Sequence, residues 1–280
     1  MLEVNKVHEG DCLILMKDIP DKSVDMILCD LPYGTTDANW DNVIPMNKLW
    51  KEYNRIIKDT GVIALYGNNI FSIKLASSNI DMFKYKYVWI KSNSTLFVHA
   101  KNRPLVKHED ILIFSKAPMG HISLLNNKRM PYNPQGLIYS GYTRKTGTLN
   151  KFKNVYGKRP SHKDEVITEY ENYPSDVLFD FPEVQGSNKT HPNEKSVKLN
   201  RFLIKTYTIE GDLVLDNCAG TGSSLVACKQ INRNFIGIEL NQDYINICNK
   251  RLSQKTMLEI AEKRDTLNSY MEVSGNSSHN

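Results

Sequence analysis

The chain has 280 residues, 40% of them hydrophobic and 24% charged, which is the balance of a soluble globular protein of one large domain or two small ones. Its apolar runs are strand-sized, too short to cross a bilayer, and the mixed, acidic opening MLEVNKVHEGD lacks the basic-then-apolar order of a secretory signal. Cys12, Cys29, Cys218, Cys228 and Cys248 show neither CxxC pairing nor a metal-ligand spacing with histidine, which predicts buried free thiols, a reducing cytosol and no metal.

In chain order, apolar runs bounded by charge or turn residues predict seven strands, at residues 4–8, 24–30, 61–66, 85–91, 110–116, 212–216 and 235–240. Helical patterns alternate with most of them. One runs over 11–17 behind a capping Asp11. A second, over 46–58, places Leu49, Tyr53, Ile56 and Ile57 on one face and stops at Gly61. A third follows a glycine-rich turn at 223–231. The last, over 241–257, carries Tyr244, Ile245, Cys248 and Leu252 at helical spacing, with 257–270 as an extension. Alternation of this kind predicts an α/β fold with a mainly parallel sheet covered on both faces. The runs at 85–91 and 110–116 have no helix between them and are expected to pair antiparallel.

Between Lys116 and His191 the periodicity fails. Pro and Gly recur ("APMGH", "MPYNPQGL", "GKRPS"), and the stretch of about 75 residues exceeds ordinary loop lengths, the mark of a functional insert. From Lys116 to Lys163 it carries ten bases and no acid, so that part holds +10 and the rest of the chain nets −5. Tyr132, Tyr139, Tyr142, Phe152 and Tyr156 are interleaved with Lys128, Arg129, Arg144, Lys145, Lys151, Lys153, Lys158 and Arg159. Bases supply phosphate contacts and rings supply stacking surfaces, which makes a nucleic-acid surface the reading to set against a merely solvated loop. The tail VSGNSSHN, with residues 271–280, is expected to be disordered.

Two stretches carry candidate chemistry. In VDMILCDLPYG, Pro32 cannot donate to a sheet ladder, so the strand must end by Leu31, and Gly34 permits a change of direction. Asp30, the Leu31 carbonyl, Pro32 and Tyr33 then stand together at the carboxyl end of a strand, where ligands bind in open α/β sheets; an ordinary solvated turn is the alternative. GDLVLDNCAGTGSSLVA reads as strand, glycine turn and helix start. Its spacing Asp216-x-x-x-Gly220-x-Gly222 is not the dinucleotide GxGxxG, and no Walker pattern is present. Glu239 ends the next strand, where an acid suits ribose hydroxyls, so the pair of features points to an adenosine-containing cofactor.

Together these stretches resemble those of a known family. DLPYG is similar to the DPPY motif of S-adenosylmethionine-dependent DNA amino-methyltransferases, and DNCAGTGSS to their cofactor motif DPFxGxGT. HEGDCLILMKDIPDKSVDMILCDLPYG is similar to the family's opening, VKHEDILIFSK to its HExIxxFxK strand and THPNEKSVKLNRFLI to its HPTQKPxxLxxxLI segment. The catalytic motif precedes the cofactor motif, as in the permuted β group. The resemblance implies a seven-stranded Rossmann-like methyltransferase sheet, mostly parallel with one reversed strand. It assigns residues 1–117 and 190–265 to a catalytic and cofactor domain, and 118–189 to a target-recognition insert.

It further implies catalytic Asp30, Leu31, Pro32 and Tyr33. The cofactor S-adenosylmethionine falls to Asp11, Asp216, Ala219, Gly220, Gly222 and Glu239, although a helix N-cap also explains Asp11. Double-stranded DNA is the implied partner, bound through the bases of the insert, with no membrane and a cytoplasmic setting in a bacterial or phage-infected cell. A homodimer and a cognate restriction endonuclease enter by analogy with relatives. An aspartate at the head of the motif resembles the adenine-N6 enzymes, since cytosine-N4 enzymes typically carry serine there. Cytosine-N4 or RNA methylation, and an inactive DNA-binding module, stay open beside it. Leu31 stands where the family has proline, and Asn217-Cys218 where it has Pro-Phe. His108-Glu109 lacks the second histidine of HExxH, and His8 and His99 read as structural. Trp40 and Asp41 follow the catalytic turn and suit either an ordering role or plain packing. Lys195 and Ser196 fall in the segment resembling HPTQKP.

Overall fold

A computed structural model of the chain describes residues 1–34, 42–120, 125–144, 166–182 and 194–254. Its strands are β1 (Lys6–Glu9), β2 (Val24–Cys29), β3 (Ile57–Gly67), β4 (Phe83–Thr95), β5 (Val106–Phe114), β6 (Ile138–Arg144), β7 (Val166–Glu171), β8 (Val177–Leu178), β9 (Leu213–Asp216) and β10 (Asn234–Glu239). Eight of them form one sheet in the order β1-β10-β9-β2-β3-β5-β4-β8. Neighbours are parallel throughout except that β5 runs antiparallel to both β3 and β4. All seven strands expected from the sequence form, including the antiparallel pair and the single reversed strand. The eighth is a two-residue addition, Val177 and Leu178 pairing with Val88 and Trp89.

Strand β2 sits in the middle, and its VDMILC sequence explains why. Every residue but Asp25 is apolar and buried, so neither face can meet water. Met26 and Leu28 enter the core on one face, with Val62, Ala64 and Tyr66 of β3; Ile27 and Cys29 enter the other, with Ile63 and Leu65. Helices cover both layers. Three of them, α1 (Cys12–Leu15), α2 (Met46–Ile56) and α3 (Asn69–Ser78), pack on the Ile27 face through Cys12, Leu49, Trp50, Tyr53, Ile56, Phe71 and Leu75. The opposite face takes α4 (Val197–Tyr207), α5 (Ser223–Gln230) and α6 (Gln242–Leu252), through Leu199, Leu203, Tyr207, Leu225 and Cys248.

The structure corrects several sequence expectations. The helix expected over 46–58 ends at Ile56: Ile57 turns extended and opens β3, paired with Val24, while Gly61 lies inside that strand rather than stopping a helix. Helices α3 and α4 were not anticipated. In α3 the apolar residues run all round the axis, Phe71 and Leu75 inward but Ile70 and Ile73 exposed, so no stripe marks it. In α4 the buried positions Leu199, Leu203, Ile204 and Tyr207 are regular, but the segment reads first as a motif. Within the insert, β6 and β7 form a separate antiparallel pair where the sequence shows only broken periodicity. The expected extension at 257–270, the tail, Trp40 and Asp41 lie outside the described residues.

Gly61 provides a test of how tightly β2 and β3 are packed. A Cβ there would stand 2.7 Å from the Ile57 side chain and 2.9 Å from the backbone carbonyl of Asp25. Strand propensity alone favours alanine over glycine, but overpacking against backbone outweighs it. Gly61→Ala is therefore expected to destabilise the protein by about 1–3 kcal/mol in urea titration. A stabilised variant would show that β2 and β3 can move apart.

Candidate active site

The connections from β2 and β9 leave to opposite sides of the sheet, so the carboxyl ends of these two neighbours flank a crevice at the topological switch point. A cavity of about 1110 Å³ opens there and runs from Asp11 and Glu239 past Gly220 and Asp216 to Asp30, Tyr33 and Glu109. The two sequence motifs, 186 positions apart between Asp30 and Asp216, thus face one space.

On the β2 side, Asp30 follows directly on the last strand residue. Its Oδ1 accepts a hydrogen bond from the Tyr33 hydroxyl at 2.8 Å, and its Oδ2 lies 2.8 Å from the Lys195 ammonium. Tyr33 stacks on Phe71, the ring centroids 4.6 Å apart, and is half-buried at the cavity wall. Burial, then the nearby Asp30 charge, pushes its phenol well above the ordinary range, so it stays a donor. Leu31 is buried in the core layer that holds Phe71 and Leu215. Leucine therefore fixes this turn by packing where the family motif uses proline.

Lys195 is not alone. Its ammonium also stands 3.1 Å from Oε2 of Glu109, whose Oε1 pairs with Lys91, and it lies 5.1 Å over the Tyr66 ring. Burial pulls the lysine down, but the charges of Asp30 and Glu109 outweigh it and hold the group above the ordinary lysine value. For Glu109 burial pushes the carboxyl up, and the Lys195 and Lys91 ammoniums more than reverse this. The sequence gives weak signals for these residues. Glu109 follows His108 in an apparent half of a metal motif, and Lys195 lies in the HPTQKP-like segment. Nothing in either says that they meet.

On the β9 side, Asp216 is buried. Its Oδ1 accepts the Cys218 amide at 3.1 Å and its Oδ2 the Ser224 hydroxyl, so the acid ties the start of the turn to the first turn of α5. Gly220 and Gly222 both have positive φ, 52° and 80°. A Cβ on Gly222 would run into the Cys248 sulfur, whereas one on Gly220 would meet nothing within 4 Å. Glycine at 222 is required by packing; at 220 it keeps the backbone open to the cavity. Ala219 is buried between these groups and donates its amide to Ile238. The Glu239 carboxylate accepts the amides of Gly220 at 2.7 Å and of Leu240 and Asn241 at 2.9 Å each. It thus holds the glycine turn against the end of β10 while lining the cavity.

Asp11 accepts the Leu13 amide at 2.7 Å as the N-cap of α1 and lines the same cavity, so both expectations for it describe one side chain. Asn217 accepts the Tyr53 hydroxyl at 2.5 Å, which anchors the departure from Pro-Phe in the α2 layer. Cys218 meets the thiols of Cys12 and Cys29, and burial pushes Cys29 up to about 12. Arg251 clamps the turn from α6, bonding the Thr221 carbonyl and Glu194 at 2.9 Å each.

Of the expected nucleic-acid residues, Lys128 is exposed, Arg129 is half-buried, and Arg144 ends β6. Lys145, Lys151, Lys153, Lys158 and Arg159 lie outside the described residues. Among the described residues no group of three His, Cys, Asp or Glu side chains is arranged to hold a metal, and no helix is long and apolar enough to cross a membrane.

Residues 24–250 match the family model described as DNA methylase. The chain is 27% identical over 265 residues to the type II methyltransferase M1.MboII of Moraxella bovis, covering 91% of this chain and 98% of that protein. It is 28% identical over 268 residues to the DNA adenine methyltransferase YhdJ of Escherichia coli (strain K12), covering 89% and 83% respectively. Among solved structures, the M1.HpyAVI-SAM complex superposes with a TM-score of 0.58 at 21% identity, over 89% of this chain and 99% of the other, a likeness of fold.

Burial of Asp216 has a measurable consequence. Desolvation raises its carboxyl from 3.8 to about 6, against the opposing Ser224 hydroxyl and Cys218 amide. The folded state thus holds this proton more tightly than the unfolded chain. The corresponding stability is fully present below pH 3.8 and is lost as pH rises through about 6. In Asp216→Asn, urea titration of the ligand-free protein should lack that decline over pH 4–6, a difference on the order of 1–3 kcal/mol. Identical slopes in the two proteins would place the proton elsewhere.

Proposed function

The chain belongs to the DNA methylase family, and on that premise we propose that it transfers a methyl group from S-adenosylmethionine to the N6 amino group of adenine in double-stranded DNA, at a specific site, with the base swung out of the helix. The observation that carries the proposal is the shared cavity. It brings an acid-carbonyl-aromatic turn, Asp30 to Tyr33, to face a glycine turn and acid, Gly220 and Glu239. YhdJ is by its name a DNA adenine methyltransferase, and Asp30 heads the motif here where cytosine-N4 enzymes typically carry serine.

The residues present fit the donor. Gly220 leaves the floor of the cavity clear, and Glu239 and Asp11 place carboxylates along it for the hydroxyl and amino groups of an adenosine. When bound, S-adenosylmethionine supplies an electrophilic methyl on a sulfonium sulfur. The rest falls to the chain. An exocyclic amino nitrogen is a weak nucleophile because its lone pair is delocalised into the ring. Asp30 and the Leu31 carbonyl each accept one amino hydrogen, which localises that pair on nitrogen. Orientation and electrostatic stabilisation are then the main contributions: Asp30 need not take a proton before attack, and the proton that the methylated nitrogen sheds passes to Asp30 and on to water. Pro32 stiffens the turn, and Tyr33 offers its ring to the flipped base and its hydroxyl to Asp30. Residues 118–189 act as the target-recognition region beside a catalytic and cofactor unit of 1–117 and 190–265. The bases from Lys128 to Arg159 supply its phosphate contacts. The setting is the cytoplasm of a bacterial or phage-infected cell, beside a cognate restriction endonuclease or alone.

Single-molecule sequencing of DNA from cells expressing the chain should show modified adenines confined to one short motif, and none with Asp30→Ala. Cytosine signals would move the product to N4. Purified Asp30→Ala should lose at least about 100-fold in turnover while still binding cofactor; near-normal turnover would remove Asp30 from the chemistry. Neutralising Lys151 and Lys153 together should weaken DNA binding and lower the slope of log K against log salt by about 2. An unchanged slope would put the DNA surface elsewhere.

A further inference from the structure

Four charged side chains from four separated stretches of sequence meet behind the catalytic turn. They are Lys91 on β4, Glu109 on β5, Lys195 just ahead of α4, and Asp30 just beyond β2. Contact follows the order Lys91, Glu109, Lys195, Asp30, so the signs alternate and the chain of charges nets zero. The first three side chains keep 10%, 8% and 9% of their exposure, whereas Asp30, at the cavity, keeps 27%.

Stability does not account for such an array. Buried ion pairs roughly break even against, or lose to, apolar side chains of the same volume, because every charge must first leave water. The array instead ends on Asp30, its most exposed member, at the cavity. An aspartate carboxylate turns about a soft terminal torsion with broad wells, so a lone Asp30 would have no fixed plane. Here Oδ1 is held by the Tyr33 hydroxyl and Oδ2 by Lys195, each at 2.8 Å, which fixes the plane from both ends. Each carboxylate oxygen has more than one acceptor site, so both can still take an amino hydrogen. Lys195 is held in turn by Glu109, and Glu109 by Lys91. A lysine suits the middle position because its compact ammonium carries three donors and can address two acids at once.

We propose that Lys195 is a positioning residue for methyl transfer, pinning the carboxylate of Asp30 in the orientation that receives the target amino group, with Glu109 and Lys91 fixing Lys195. The proposal deepens the function given above and rests on the role of Asp30 in it. Lys195 acts through Asp30.

The test uses the full chain with tritiated S-adenosylmethionine and unmodified genomic DNA. It measures the single-turnover transfer rate beside the dissociation constants for cofactor and DNA. Lys195→Met keeps the stem and removes the ammonium. It should lose about 10- to 100-fold in rate, as outer partners of a functional group do, with both dissociation constants within about threefold of the parent. Lys195→Arg, which restores a cation but not the compact ammonium, should recover part of the loss; a purely structural lysine would lower folding and binding together and show no such split. A Lys195→Met rate within about threefold of the parent, with Asp30→Asn inactive, would overturn the positioning role and leave the function intact. Normal transfer by Asp30→Asn would overturn the role of Asp30 and this proposal with it. If Lys195→Met does not fold, Glu109→Gln decides the matter, because it loosens Lys195 while leaving its contact with Asp30. A rate about tenfold down with unchanged binding supports the role, and an unchanged rate overturns it.

Discussion

A carboxylate at the end of a strand buried on both faces must have its charge met by groups brought from elsewhere, and much of this molecule is arranged around that constraint. Strand β2 has no polar face to offer Asp30. The compensation arrives from β4, from β5 and from the segment before α4, as Lys91, Glu109 and Lys195. The reversed strand β5 is central to it, since its pairing with both β3 and β4 sets Glu109 at the cavity wall beside the turn of Asp30 to Tyr33. The same arrangement explains why charged side chains are tolerated at 8–10% exposure: each has an opposite partner in contact.

The other half of the crevice is organised by two acids that mostly address backbone. Asp216 ties the turn to α5, and Glu239 gathers three amides from the turn and from the end of β10. A glycine turn left to itself would be conformationally loose. With these carboxylates accepting its amides, and Arg251 holding Thr221 from α6, it becomes a fixed floor. Methyl transfer depends on such pre-organisation, because orientation is the larger part of what the protein contributes.

Both departures from the family motifs have a physical account in the layer beneath them. Leu31 buries its side chain where a proline would have stiffened the backbone, so the turn is fixed by packing. Asn217 and Cys218 replace Pro-Phe with a polar anchor to Tyr53 and a thiol seated against Cys12 and Cys29. Asn217 thereby ties the turn to α2.

The sequence by itself determined the seven principal strands, the antiparallel pairing of β4 with β5, the carboxyl-end position of Asp30 to Tyr33 and the glycine turn, because each depends on a local run of apolar spacing or on a proline or glycine at a fixed place. It placed the ends of α2 and α6 too late and passed over α3 and α4. Helix ends and all-round apolar helices are decided by what packs on them, as when Ile57 leaves the helix to pair with Val24. The pairing of β6 with β7 was hidden in the same way, in a stretch without alternation. Only the tertiary structure decided that Lys195 reaches Asp30 across 165 positions of sequence, and that Glu109 and Lys91 hold it there. A lone lysine or glutamate carries no periodicity and no turn chemistry. Its meaning comes from the opposite charge it finds once water has been excluded, and that partner is chosen by the order of strands in the sheet.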